Sequence, residues 1–100
     1  MAAVKVPKKA VERIMERHGD WMQMLGLKSA AEVQLFLSRV VSKPDEVRAD
    51  RFRSGVKYFL KHLEEPGGKL LCVVAVGGEI VAAYLINWEK YSKYRARRWA

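Results

Sequence analysis

The stretch from Leu70 to Ile86, LLCVVAVGGEIVAAYLI, decides the fold of this chain. From Leu70 to Val76 it is apolar without a break, as a strand covered on both faces would be. Gly77-Gly78 then interrupts the run. A two-residue hairpin turn of type I′ or II′ needs positive φ, which glycine adopts without steric cost. Glu79–Trp88 reads as the returning strand. Its middle carries Ala82, Ala83 and Tyr84, where a strand could present a hydroxyl or a basic side chain.

Working backwards, Val56–Leu63 (VKYFLKHL) fits a helix or a strand by length. Its aromatic and β-branched content, with Gly55 before it, favours a strand. Glu64-Glu65-Pro66-Gly67-Gly68 reads as the loop that joins it to the Leu70 strand, giving an antiparallel meander of three or more strands. Upstream the period changes to that of helices. Val11, Ile14, Met15 and His18 recur at i, i+3, i+4 and i+7, with Pro7 before them and Gly19 after, so a helix is expected over about residues 8–18. Gly19 suits a left-handed position after that helix. Asp20 can cap a short turn through Trp21, Met22 and Leu25. Ser29-Ala30-Ala31-Glu32 is a capping box that opens a second helix reaching about Val41, with Val33, Leu37, Val40 and Val41 on its buried side. Lys43-Pro44 stops it. The expected fold is α+β: two N-terminal helices packed on a small antiparallel sheet, followed by a basic C-terminal tail or helix.

One hundred residues set the scale: a single domain, 1–100, with its core over about 8–88 and a basic aromatic stretch over 89–100. A chain this short buries about 60–65% of its unfolded surface, which limits it to one modest core. No apolar run approaches the roughly 20 residues that span a bilayer, and the start shows no apolar leader, so no membrane partner is expected and a cytoplasmic location is the default. The single cysteine, Cys72, excludes an internal disulfide and a multi-cysteine metal site. It lies in the most apolar run, where a thiol acts as a small hydrophobe. No cofactor or metal motif is present. The chain has no threonine, one asparagine and two glutamines, a thermophile tendency.

The formal net charge is +8, which points to polyanionic partners. Residues 89–100, EKYSKYRARRWA, hold five Lys or Arg against one Glu. A second basic stretch runs through Arg48, Arg51, Arg53, Lys57 and Lys61. RNA or DNA is the expected partner class; an acidic protein partner, or plain solubility, accounts for the same charge. Arg51, Arg53 and Lys57 share one parity if the chain is extended there, a row that could grip phosphates or guard an edge strand. In the tail, Tyr91 and Tyr94 alternate with Arg95, Arg97 and Arg98. Bases stack on aromatics while cations hold phosphates, although the same aromatics could dock a helix on the sheet. Lys57, Lys61, Tyr91, Tyr94, Arg95, Arg97 and Arg98 are the candidate nucleic-acid contacts. His18, at a helix end, is the candidate acid/base, since histidine titrates near neutrality. His62 reads as structural.

Three pieces together resemble the barnase/colicin/RelE-like ribonuclease superfamily, which includes toxin ribonucleases and phage-associated barnase-like domains. They are the helix ending in Arg17-His18-Gly19; the helix followed by Lys43-Pro44-Asp45-Glu46-Val47 and a basic strand ending in Tyr58-Phe59; and the paired strands LLCVVAV and IVAAYLI. The likeness spans roughly residues 11–88. It implies a metal-independent, toxin-like endoribonuclease in which His18 or Tyr84 moves protons and Arg51 or Arg53 binds phosphate, with an antitoxin as protein partner. The barnase-like last strand often reads Thr-Ala-Tyr; here it is Ala82-Ala83-Tyr84, so the hydroxyl is missing. A non-catalytic nucleic-acid-binding module and a structural protein of the same fold are the alternatives.

Overall fold

The computed structural model describes residues 4–64 and 67–100. Among them the elements run α1 (Lys8–Arg17), α2 (Asp20–Met24), α3 (Ala30–Ser42), β1 (Glu46–Ala49), β2 (Val56–Leu63), β3 (Lys69–Val76), β4 (Glu79–Asn87) and α4 (Trp88–Arg97). The strands form one antiparallel sheet in the order β1-β2-β3-β4. The α+β antiparallel meander of three or more strands is therefore present, its fourth strand, Glu46–Ala49, lying where a turn and a basic stretch were expected; the helices are not all N-terminal, since the stretch read as a basic tail or helix forms α4 after the sheet. Of the expected loop 64–68, Glu65 and Pro66 lie outside the described residues, as do Met1–Ala3 at the start.

Local chemistry sets the boundaries. The Ser29 hydroxyl accepts from the Glu32 amide at 3.2 Å and opens α3 as expected, but Glu32 Oε1 reaches back to the Lys28 amide at 3.1 Å and the Ser29 hydroxyl at 3.3 Å rather than to the Ser29 amide. Asn87 caps α4, accepting from the Lys90 amide at 2.8 Å. Gly77 and Gly78 have φ of 60° and 83°, the pair of positive values that a type I′ turn requires. Gly19 is not left-handed as expected. It has φ −70° and precedes α2, and a Cβ there would meet the Met15 carbonyl oxygen at 3.0 Å. Its role is to let the chain turn closely against the end of α1.

The sheet is covered on both faces, so two apolar clusters form. On one face, Val11 and Ile14 of α1, Trp21 and Met22 of α2 and Val33, Leu37 and Val40 of α3 pack on Phe59, Leu71, Val73, Ala75, Ile80 and Ala83. On the other, Tyr91 of α4 and Trp99 pack on Val56, Tyr58, Leu60, Leu70, Cys72 and Ile86. β3 supplies both clusters alternately, which is why its run is apolar throughout. In β4 the alternation is broken once. Val74 pairs with Ala82 but Ala75 pairs with Ile80, so Val81 is an extra residue in a bulge. Ile80 thereby joins Ala83 on the α1–α3 face, while Ala82 and Tyr84 turn towards α4.

Both outer edges of the sheet are partly closed. Beside β4, Lys5 donates to the Gly78 carbonyl at 2.8 Å and accepts from the Ile80 amide at 3.0 Å. The buried Trp21 indole donates to the Ala83 carbonyl at 3.1 Å. Beside β1, the segment after α4 runs antiparallel: the Arg51 amide donates to the Arg98 carbonyl at 2.7 Å and the Ala100 amide to Ala49 at 2.9 Å. Short, covered edges leave few unpaired backbone groups for stray strand pairing. Residues 98–100 are thus part of the fold, and Trp99 is 1% exposed. No described helix is long and apolar enough to cross a membrane.

Candidate nucleic-acid interface

Three hollows follow α4, and Tyr94 lines all of them. The largest, of about 570 Å³, is walled by Asp50, Phe52, Arg53 and Tyr58 from the β1–β2 side and by Lys93, Tyr94, Arg97 and Arg98 from α4 and its end. A second, of about 300 Å³, is bounded by Asn87, Glu89, Lys90, Lys93 and Tyr94. The third, of about 380 Å³, lies by the β4 edge between His18, Asp20, Ala82, Tyr84, Leu85, Lys90 and Tyr94.

The first hollow owes its shape to one carboxylate. Asp50 Oδ1 accepts from the amides of Phe52 and Arg53, each at 2.9 Å, and Oδ2 accepts from the Tyr58 hydroxyl at 2.6 Å. That closes an Asx turn and fixes residues 51–53 in a bend. The Tyr58 bond, then the Phe52 amide, holds the Asp50 carboxyl below its ordinary range. Burial, with the Asp50 bond, pushes the Tyr58 phenol up to about 12. Asp50 is ionised and offsets part of the surrounding positive charge, Arg53's included, while its oxygens are engaged by the two amides and the Tyr58 hydroxyl. Arg53, Arg97, Arg98 and Lys90 make no ion pair with the described residues, while Lys93 lies 3.5 Å from Glu89. The Arg98 guanidinium sits 4.5 Å from the Tyr94 ring centre and Lys90 Nζ 5.6 Å from it, so the cations approach an aromatic face.

The expected row Arg51–Arg53–Lys57 does not exist, because the Asx turn bends the chain between them. Arg51 turns inward to the end of α4, donating to Ala96 O at 3.0 Å and Trp99 O at 3.1 Å. Its charge meets the carbonyl end of that helix, where a cation is stabilising. Arg53 alone of the two arginines faces the cleft. Lys57 and Lys61 share the strand parity of Phe59 and stand on the opposite side of the sheet; Lys61 joins Arg39, Ser42 and Lys43 there, beside Phe36 and Val40. Tyr91 is buried. Its hydroxyl donates to Glu46 Oε1 at 2.8 Å and accepts from Arg48 at 3.3 Å. His62 contacts Glu46 Oε2 at 3.0 Å. Burial alone would raise the Glu46 carboxyl, but His62, Tyr91 and Arg48 together hold it below the ordinary value. Arg95 is exposed and outside the cleft lining. Of the sequence candidates, the cleft therefore gathers Arg53, Tyr94, Arg97 and Arg98.

His18 and Tyr84 do meet, with ring centres 5.8 Å apart, at the β4 end. The cation beside them is Lys90, 5.8 Å from the Tyr84 ring centre, and neither Arg51 nor Arg53 lines that hollow. Burial, reinforced by the neighbouring Cys72 and Tyr94, drives the Tyr84 phenol far above its usual range. Such a phenol is a poor proton donor to water and a poor base near neutrality. Burial likewise pushes the Cys72 thiol up to about 12, an inert setting for a thiol. Among the described residues no group of three or more His, Cys, Asp or Glu side chains is placed to hold a metal ion.

Sequence reasoning passed over Phe52, Lys90 and Lys93. The signal for Phe52 was available: a large aromatic between two arginines, just ahead of Gly55, in a segment too polar to be core. Comparison of the chain with protein-family models, curated proteins and solved structures gives no match. The likeness to ribonucleases rests on its short motifs alone.

Proposed function

We propose that this chain binds nucleic acid, with RNA as the expected ligand, by holding phosphates along the cleft beside α4. One observation carries the reading: Arg53 comes from the β1–β2 bend and Lys93, Arg97 and Arg98 from the other end of the chain, yet all line one hollow around Tyr94. Cations beside an aromatic face suit phosphates and bases together, and among these four only Lys93 has an ion-pair partner among the described residues, the exposed Glu89. The test is fluorescence anisotropy of a short labelled single-stranded RNA against salt. Five phosphate contacts, from Arg53, Lys90, Lys93, Arg97 and Arg98, give a log–log slope of about −3.5. Binding that ignores salt, or no binding at low salt, refutes the reading.

A second reading, RNA cleavage, draws on the His18–Tyr84 contact and on Lys90 beside it. It asks His18 to take the 2′-hydroxyl proton as that oxygen attacks the adjacent phosphorus, Lys90 to stabilise the phosphorane, and water to protonate the 5′-oxygen as its bond to phosphorus breaks, without a hydroxyl at Ala82. Incubation with total RNA in the presence of EDTA separates the two. Cleavage lost in His18→Ala supports this reading; intact RNA at protein concentrations that shift it in a gel leaves binding alone.

A further inference from the structure

We propose that the cleft takes a single strand rather than a duplex, with one unstacked nucleobase laid against Phe52; this rests on the nucleic-acid reading above. Phe52 is 78% exposed, the most exposed large apolar side chain among the described residues. It does not lie on a free loop tip. Its amide and that of Arg53 are both tied to Asp50, and Asp50 is tied to the buried Tyr58. A fixed backbone that holds a phenyl ring in water, with neither apolar cluster including it, is a platform awaiting a partner. The other element lining the same hollow offers a second flat surface, the Tyr94 ring with Arg98 over it.

The chemistry of the occupant follows from what surrounds the ring. A purely apolar ligand would not need Arg53, Lys93, Arg97 and Arg98 around Phe52, and a bare phosphate would not need Phe52. A nucleotide uses both. A hollow of about 570 Å³ lies within the roughly 300–1,000 Å³ of small-molecule sites. Bases of a single strand can splay out and stack on an aromatic ring, whereas those of a duplex are already stacked and paired and leave mainly phosphates to contact.

The experiment measures anisotropy for one labelled oligonucleotide, single-stranded and annealed to its complement, with the wild type, Phe52→Leu and Phe52→Trp. Thermal melting checks that each variant is folded, which the exposure of Phe52 favours. The expected result is tighter binding of the single strand by the wild type and a loss of about 5- to 150-fold for that strand in Phe52→Leu. The salt slope and the duplex affinity stay unchanged, and Phe52→Trp retains single-strand binding. Equal loss for both forms, or no loss in Phe52→Leu, overturns the stacking site while leaving phosphate binding intact. Loss in Phe52→Trp equal to that in Phe52→Leu also overturns it. No binding of either form by the wild type overturns both readings.

Discussion

Arg51 and Arg53 are two residues apart and look alike in sequence, and the fold gives them different work. Replacing Arg51 with alanine removes two hydrogen bonds from a charged donor to the carbonyls of Ala96 and Trp99, at 3.0 and 3.1 Å. Net hydrogen bonds contribute about 0.5–1.5 kcal/mol each, and with the Ala96 bond exposed and the Trp99 bond only part-buried, about 0.5 kcal/mol apiece applies. A cation at a helix C-terminus adds about 0.3–1 kcal/mol. The sum expected for Arg51→Ala is a loss of about 1–2 kcal/mol. For a domain of this size each kcal/mol moves Tm by roughly 4–8 °C, so Tm falls by roughly 4–16 °C. Arg53→Ala removes a side chain that lines the cleft, so it leaves Tm nearly in place and reduces the salt slope of single-strand binding by about 0.7.

Both variants are compared with the wild type by thermal melting, and by anisotropy titrations at several salt concentrations well below either Tm. Arg51→Ala should shift Tm and keep the slope; Arg53→Ala should do the reverse. If both reduce the slope equally and neither moves Tm, Arg51 contacts phosphate and its capping contacts do not stabilise the fold. That result would refute the separation of roles.

Two more outcomes follow from the α4 face of the sheet. Trp99 is enclosed by Tyr58, Tyr91 and Tyr94, with ring centres 5.8, 5.3 and 5.6 Å away, so Trp99→Ala should cost about 3–5 kcal/mol in urea unfolding. Its indole N–H has no hydrogen-bond partner among the described residues, so Trp99→Phe should recover most of that loss; a Phe variant as unstable as the Ala one would contradict this. Glu46 has a folded carboxyl value below the ordinary 4.5, so its contribution is complete above 4.5 and fades as pH falls through the lower folded value. The Tm gap between wild type and Glu46→Gln should therefore shrink in acid, and a gap unchanged down to pH values below the folded pKa would show that the ionised carboxylate is not what stabilises.

The residues of β3 and β4 show how far a pattern reaches. An unbroken apolar run, two glycines and a return strand leave little choice but a hairpin, and Ser29 with Glu32 marks a helix start by its own side chains. β1 escapes because Glu46-Val47-Arg48-Ala49 is too short for alternation to stand out and half of it is charged. The bulge at Val81 escapes because nothing local announces it; it is set by pairing with β3. Lys57 and Lys61 mislead for a third reason. When both faces of a sheet are covered, strand parity says which residues share a face but not which helices lie over it. The aromatics of the last helix were legible as one group, yet Tyr91 is spent on Glu46 while Tyr94, one turn later, lines the cleft.

This arrangement also explains why the candidate site lies at a seam. Helices cover both faces of the sheet, so no strand can offer a broad open surface, and the polar chemistry is left to the places where elements join. The largest hollow sits where the β1–β2 bend meets the end of α4, the same junction that Arg51, Asp50 and Trp99 fasten. Fold stability and the proposed binding are therefore expected to be coupled there in one direction. Releasing residues 98–100 from residues 49–51 should open the hollow between Arg53 and Arg97 with Arg98, whereas removing the Phe52 or Arg53 side chain from its lining should leave the junction closed. A variant that loses binding while keeping its full Tm thus reports on the lining itself, and one that loses both reports on the junction.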